Sequence, residues 1–226
     1  MRILITAGGT REPIDAVRYV GNVGTGATGV GLAEEAVRRF HTVHLLSGVG
    51  SAQPASWACQ TGLLVCETFT SAADLLARCQ ELLARYEFDA VVATAAVADY
   101  APVPLEGKLG SSLPELIVRL VPTPKIVDRM RGLAPAATLV SFKLESGLAV
   151  DELVRRARAS MERSGADLAV ANLIEGHGSP EHGAWLVART GEPVAVPNRS
   201  ELAVRLLDRL EELRQASRHP PMERFE

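Results

Sequence analysis

Several features of membrane, secreted and nucleic-acid-binding proteins are missing from this sequence of 226 residues. No apolar run reaches 18 residues, and the apolar stretch at the amino terminus is too short for a signal peptide and lacks a small-residue cleavage site. The 24 basic side chains are outnumbered by 27 acidic ones, so no excess of basic charge attracts a phosphate backbone. We therefore expect a cytoplasmic protein with no membrane and no nucleic-acid partner.

Cysteine is scarce as well, and its spacing excludes two kinds of site. Cys59, Cys66 and Cys79 are odd in number and contain no Cys-x-x-Cys pair, which argues against a disulfide framework and a zinc site. His177 and His182 lie five residues apart in a glycine-rich stretch, a spacing that fits neither a helical metal pair nor a zinc finger. The sequence therefore predicts no metal ligand.

Lysine is the rarest of the charged residues. Of the 24 basic side chains only Lys108, Lys125 and Lys143 are lysines, and all three fall within 36 consecutive residues. An ammonium group is a compact charge that differs chemically from the planar guanidinium of arginine. The clustering suggests that these positions need an ammonium group.

What the chain does contain is an alternation of short apolar runs and helical periodicity, which predicts a three-layer α/β/α sandwich around a mostly parallel sheet. We expect a Rossmann-like first half, a helix over residues 30–40 that buries Ala33, Val37 and Phe40 on one face, and an antiparallel hairpin around Gly191. Ser71 and Asn198 are expected to begin two further helices. A single domain should span residues 1–218, with a long functional loop at 97–114 and a frayed tail at 219–226.

A glycine-rich loop carries the strongest local signal. Gly24, Gly26 and Gly29 fit the pattern G-x-G-x-x-G ahead of a helix, where free backbone amides and the helix dipole attract phosphate. A nicotinamide oxidoreductase is one interpretation, but the second strand ends at Leu46-Ser47-Gly48, with neither an acidic residue for a ribose nor an arginine for a 2'-phosphate. A tight packing turn without a ligand is the other alternative.

Further candidates follow the predicted strands, and the carboxyl edge of a parallel sheet is where such folds bind ligands. Gly8 comes directly after the first strand, and the small residues Ala95 and Ala96, followed by Asp99, come after the central one. Asn22, Asn172, Phe142 and Lys143 are also expected at this edge. Taken one by one, each also fits a turn, a cap, a core or a surface position.

Taken together and in order, six segments resemble phosphopantothenoylcysteine synthetase. They are ITAGGTREPIDAVRYVGNVGTGATG, ATAAVADYAP, GKLGSS, PTPKIV, VSFKLE and ADLAVAN, and the resemblance covers residues 2–215. It is to the stand-alone synthetase, without the flavin-dependent decarboxylase domain often fused ahead of it, so it implies no FMN. The family joins the carboxylate of 4'-phosphopantothenate to the amine of cysteine through an acyl nucleotidylate, and the resemblance implies ATP or CTP as cosubstrate with Mg²⁺.

The resemblance also implies roles for particular residues. Asn22 and Lys108 are expected to take part in the chemical step, Lys108 from the long loop. Substrate contacts are implied for Arg18, Asn22, Ala95, Ala96 and Asp99, with Arg18 reaching into the neighbouring subunit's site in a homodimer. Nucleotide contacts are implied for Gly8, Gly24, Gly26, Gly29, Lys108, Pro124, Lys125, Ile126, Val127, Phe142, Lys143 and Asn172.

Three departures from the family pattern leave the choice between ATP and CTP open. No lysine follows Lys108 in its loop, Gly24 stands where a serine is common, and the helix predicted over residues 150–164 contains arginines but no lysine. A homologue that binds a nucleotide without catalysis is a further alternative, although Asn22 and Lys108 are both present.

Overall fold

The computed structural model describes residues 1–105, 107–110, 114–175 and 181–218, and within them an eight-stranded sheet forms the centre of the molecule. Six strands run parallel, and the last two are antiparallel to their neighbours. Numbered in chain order and read across the sheet, the strands are β5 (Leu64–Phe69), β4 (Thr42–Gly48), β1 (Arg2–Ala7), β6 (Ala90–Ala93), β9 (Thr138–Glu145), β10 (Leu168–Leu173), β11 (Ala184–Ala188) and β12 (Val194–Val196).

Helices cover both faces of this sheet, as the sequence predicts. On one face, α1 (Ala27–Arg38) and α6 (Arg199–Arg218) pack over the side chains of Ile3 and Ile5. On the other face, α3 (Ala72–Arg85), α4 (Ile126–Leu133) and α5 (Val150–Ser164) pack over Leu4 and Val91. Strands buried on both faces read as continuous apolar runs, which explains why residues 3–7 are all buried. A short helix, α2 (Ser56–Cys59), precedes β5.

Two small hairpins lie outside the main sheet, and the sequence predicted neither. The first pairs β2 (Arg11–Pro13) with β3 (Tyr19–Gly21), and the second pairs β7 (Tyr100–Pro102) with β8 (Leu120–Pro122). The periodicity instead suggested one longer strand over residues 116–121, of which only the end is extended. The expected antiparallel hairpin around Gly191 is present as β11 and β12, with Gly191 at φ 84°.

The end of α1 corrects the expectation for Phe40. The helix stops at Arg38, and Phe40 is 86% exposed with φ 60°. The amide of Phe40 donates to the Val37 carbonyl at 3.0 Å, and the amide of His41 donates to the Ala36 carbonyl at 3.0 Å, the two bonds of a Schellman motif. The chain turns at this point to enter β4. The helical spacing of apolar residues in the sequence therefore continues past the last residue of the helix.

Several sequence expectations lie partly or wholly outside the described residues: the tail at 219–226, His177 and parts of the loop at 97–114. Among the helices that are described, none is both long and apolar enough to cross a membrane.

Candidate active site at the carboxyl edge of the sheet

The ends of β1 and β6 continue side by side beyond the sheet. The Ala96 amide donates to the Gly8 carbonyl at 2.8 Å, the Thr10 amide donates to the Ala96 carbonyl at 3.2 Å, and Gly9 forms a parallel bridge with Ala96. The Thr10 hydroxyl, which is buried, accepts a bond from the Ala98 amide at 3.0 Å. This hydrogen-bonded floor is where the sequence predicted a ligand site.

The glycine-rich loop packs so tightly on this floor that its glycines have no room for a side chain. A Cβ atom on Gly24 would lie 2.9 Å from the Ala96 Cβ and 3.0 Å from the Gly9 nitrogen. A Cβ on Gly29 would lie 2.5 Å from the Ala7 Cβ, and Gly26 has φ 77°. Close backbone packing therefore accounts for these glycines, with or without a ligand.

One cavity of about 180 Å³, here called the strand-end cavity, opens beside the ends of β6 and β9 on the α3–α5 face. Near it the Lys125 ammonium contacts the Asp99 carboxylate at 2.5 Å, and the Lys143 ammonium contacts Glu145 at 2.8 Å. Bonds from Lys143 and then Arg156 hold the pKa of Glu145 below its usual value. Predicted residues that line the cavity are Ala95, Asp99, Pro124, Lys125, Ile126, Val127, Phe142 and Lys143.

Asn22 lines a second cavity of about 340 Å³, here called the hairpin cavity, between the β2–β3 hairpin and the glycine-rich loop. Its amide nitrogen donates to the Val97 carbonyl at 3.0 Å, and Val97 lines the strand-end cavity. The Arg11 guanidinium lies 4.8 Å from the centre of the Tyr19 ring in the same hairpin. The Asn22 bond therefore joins a residue of the hairpin cavity to a residue of the strand-end cavity.

Lys108 and Arg18 are close to each other at the tip of the β2–β3 hairpin. The Arg18 guanidinium bonds to the Asp15 carboxylate at 2.7 Å and approaches the Leu109 carbonyl at 3.4 Å. Lys108 is exposed and lies outside the described linings of both cavities. The structure therefore attaches the segment that carries Lys108 to the β2–β3 hairpin, where its neighbour Leu109 meets Arg18.

Asn172 is held at the end of β10. Its amide nitrogen lies 2.8 Å from Nε2 of His182, a histidine that the spacing argument excluded as a metal ligand. Among the residues that the structure describes, no group of three or more His, Cys, Asp or Glu side chains is arranged to hold a metal ion.

Arg163 is a residue of the strand-end cavity that sequence reasoning missed. It comes from the last turn of α5 and is joined to Asp128 of α4 at 3.0 Å. An arginine in the last turn of a helix is ordinary, because it complements the helix dipole. Only the packing of α5 against α4 brings it to the cavity, so no local pattern indicated it.

Comparison with known proteins identifies the family to which the chain belongs. The model of the DNA/pantothenate metabolism flavoprotein C-terminal domain matches residues 1–213. This chain belongs to that family. The coenzyme A biosynthesis bifunctional protein CoaBC of Thermococcus kodakarensis is 38% identical over 214 residues, which are 94% of this chain and 51% of the relative. The chain thus spans about half the length of the curated relatives it matches.

Solved structures agree with this assignment. The DNA/pantothenate metabolism flavoprotein from Streptococcus pneumoniae matches with a TM-score of 0.85 and 27% identity, over 94% of this chain and 99% of that one. The C-terminal domain of CoaBC matches with a TM-score of 0.76 and 26% identity, over 95% of each chain. The α/β architecture is thus the one found in solved members of the family.

Proposed function

We propose that the protein joins the carboxylate of 4'-phosphopantothenate to the amine of cysteine, at the expense of a nucleoside triphosphate. The observation that carries the proposal is the Asn22–Val97 bond, which joins a lining residue of the hairpin cavity to a lining residue of the strand-end cavity. Two adjoining cavities suit a reaction that brings an acid and a nucleotide together. The family match over residues 1–213 and the CoaBC relatives of coenzyme A biosynthesis support the same reaction.

The reaction has two steps. A carboxylate oxygen attacks the α-phosphorus of the nucleotide, pyrophosphate leaves, and an acyl nucleotidylate forms. The cysteine amine then attacks the acyl carbon, the nucleoside monophosphate leaves with the bonding electrons, and the amine loses a proton. Activation is needed because a carboxylate is a poor electrophile, and the mixed anhydride must be protected from water until cysteine arrives.

The residues at the two cavities have suitable chemistry for these steps. Asn22 can donate a hydrogen bond to the acyl oxygen from the same amide that now contacts Val97. Lys125 and Lys143 are ammonium groups in the strand-end cavity that can offset phosphate charge, and Phe142 offers an aromatic face to a base. We propose Mg²⁺ as part of the nucleotide substrate, since it is usually held by the phosphates and one or two carboxylates.

Pyrophosphate release is the experiment that tests this function. The purified protein is given Mg²⁺, 4'-phosphopantothenate and cysteine, with ATP and CTP in parallel reactions and each substrate omitted in turn. We expect release that depends on 4'-phosphopantothenate, and the better nucleotide identifies the cosubstrate. Asn22→Asp and Lys108→Ala should each lower turnover, because each removes a group assigned to the chemical step.

Other outcomes contradict the proposal in different ways. Absence of release with both nucleotides, from folded protein, would favour a homologue that binds a nucleotide without catalysis. Normal turnover in both variants would refute the assignment of Asn22 and Lys108 while leaving the reaction intact.

We further propose that the protein acts as a homodimer joined through the two small hairpins. Large apolar side chains are exposed on both of these neighbouring hairpins and on the segment between β7 and β8, where Ile117 is 82% exposed. Contiguous exposed apolar surface marks interaction sites, and closed dimers use the same surface on both subunits. The residues are Val17, Tyr19, Tyr100, Val103, Ile117 and Leu120.

Ile117→Asp tests the dimer. Sedimentation should show a shift toward monomer, and pyrophosphate release should fall with it if Arg18 completes the neighbouring site. Phe40→Asp is the matched control, because Phe40 is similarly exposed but lies just before β4, at the opposite edge of the sheet. An Ile117→Asp protein that sediments like the wild type would refute the proposed interface.

A further inference from the structure

Asp15 is a buried carboxylate in the turn between β2 and β3, with only 5% of its surface exposed. Within the hairpin it accepts hydrogen bonds from the Val17 amide at 2.9 Å, the Arg18 amide at 2.7 Å and the Arg18 guanidinium at 2.7 Å. A fourth bond comes from the Leu109 amide at 3.1 Å, 94 residues further along the chain. One carboxylate therefore joins two segments that are far apart in the sequence.

The segment around Lys108 is attached to the hairpin on both sides of the lysine. The Gly107 carbonyl accepts a bond from the Ala16 amide at 3.0 Å, and Leu109 is held through its amide by Asp15. The Leu109 carbonyl also faces the Arg18 guanidinium at 3.4 Å. Lys108 thus lies between two fixed residues, with its side chain exposed.

The charge of Asp15 strengthens this attachment. Hydrogen bonds from the backbone, that of Val17 first, lower the pKa of Asp15 to about 2, so the carboxylate is ionised at neutral pH. Hydrogen bonds to an ionised acceptor are roughly twice as strong as neutral ones. An amide in place of the carboxylate would offer one acceptor oxygen instead of two.

We propose that Asp15 is a positioning residue that holds Arg18 and the Lys108 segment together as one unit. The roles assigned above belong to Arg18 and Lys108, and Asp15 acts only through these two residues. The proposal rests on the proposed function for the roles of these two cations, whereas the attachment itself can be tested without any reaction.

Proteolysis tests the attachment. A lysine-specific protease has only Lys108, Lys125 and Lys143 to cut after, so its fragments report the exposure of each site by mass. In Asp15→Asn, cleavage after Lys108 should become about tenfold faster or more, because cleavage follows the population of the opened segment and a bond to a charged group is lost. Cleavage after Lys125 and Lys143 should not change.

Asp74→Asn is the matched control. Asp74 also accepts a backbone hydrogen bond, from the Thr70 amide at 2.8 Å, and also pairs with an arginine, Arg78 at 3.0 Å, but it does not contact residues 107–110. Its cleavage pattern should match the wild type. Equal cleavage after Lys108 in Asp15→Asn and Asp74→Asn would overturn the proposal.

A double-mutant cycle tests the effect on the reaction. Asp15→Asn should lower kcat about tenfold or more in the wild-type background and much less in the Lys108→Ala background, because a positioning effect disappears with the group that it positions. Equal losses in both backgrounds would mean that Asp15 does not act through Lys108 and would overturn the proposal that it positions this lysine. If the wild type releases no pyrophosphate, the proposed function fails, while the cleavage result still decides the attachment.

A second variant covers the case in which Asp15→Asn does not fold. Leu109→Pro removes the one amide that donates to Asp15 from the Lys108 segment and leaves the hairpin bonds in place. It should lower kcat by a factor similar to that of Asp15→Asn, and a wild-type kcat would overturn the proposal.

Discussion

Two glycines in α1, only two residues apart, should respond in opposite ways to the same substitution. Gly29 faces the sheet, where a Cβ atom would lie 2.5 Å from the Ala7 Cβ and 2.9 Å from the Thr94 hydroxyl oxygen. Gly31 has no atom within 4 Å of the same added Cβ. Gly29→Ala and Gly31→Ala therefore share a change in helix propensity and differ in steric fit.

The expected magnitudes follow from these two contributions. Alanine in place of glycine stabilises a helix by about 0.5–1 kcal/mol, and Gly31→Ala should gain that amount. Overpacking a tight site costs about 1–3 kcal/mol, so Gly29→Ala should show a net loss of up to about 2.5 kcal/mol. The helix contribution cancels in the difference between the two variants, which therefore measures the packing of α1 on β1.

Thermal and urea unfolding at one fixed protein concentration measure this difference. For a chain of this size each kcal/mol changes Tm by about 2–4 °C. Gly29→Ala should also lower pyrophosphate release, because a displaced α1 moves the glycine-rich loop that carries Asn22. The reasoning would be refuted if both variants gained stability, or if Gly31→Ala were the less stable of the two.

Three further predictions concern thiols, acid and a helix cap. Burial raises the pKa of Cys79 to about 12, so at pH 8 Cys79 should resist alkylation while the exposed Cys59 is modified, as peptide mass mapping can show. The lowered pKa of Asp15, about 2, contributes stability above pH 4 that is lost as the pH falls toward 2, and urea midpoints should fall less steeply there in Asp15→Asn. The Asn198 side chain accepts from the Glu201 amide at 2.9 Å, and Asn198→Ala should lower the free energy of unfolding by about 1 kcal/mol, measured in urea.

Local signals predicted the framework of the fold well. The helix expected over residues 150–164 has those bounds, and the cap at Ser71 is confirmed by a bond from the Asp74 amide at 3.2 Å. The edge at which the strands end was also predicted, because the ends of parallel strands meet at one edge once the sheet is known, but Phe142 and Lys143 lie inside β9, which continues to Glu145. Asp99 and Lys143 line one cavity because the topology of the sheet brings their segments together, whereas Lys125 is the residue before α4.

Features that depend on tertiary contacts were not visible in the sequence. The β2–β3 hairpin has only three residues in each strand, too few for a period of two to be recognised. In the sequence Asp15 has the features of an ordinary turn residue, because nothing local indicates that the Leu109 amide donates to it. Phe40 satisfies helical spacing, yet the Schellman turn exposes it, because the pattern does not encode where the chain must leave the helix for β4.

The three lysines of the chain have different surroundings, and these surroundings affect how much positive charge each lysine offers to a phosphate group. Lys125 is paired with Asp99 at 2.5 Å and Lys143 with Glu145 at 2.8 Å, so each brings a carboxylate that offsets its own charge. A triphosphate in the strand-end cavity would therefore meet less positive charge than the lysines alone suggest, and a cation bound to the phosphates would have to supply the rest. The Lys108 side chain is exposed and lies on a separate segment, outside the described linings of both cavities. These pairings are consistent with the proposal that Mg²⁺ accompanies the nucleotide and that a lysine on a separate segment takes part in the reaction.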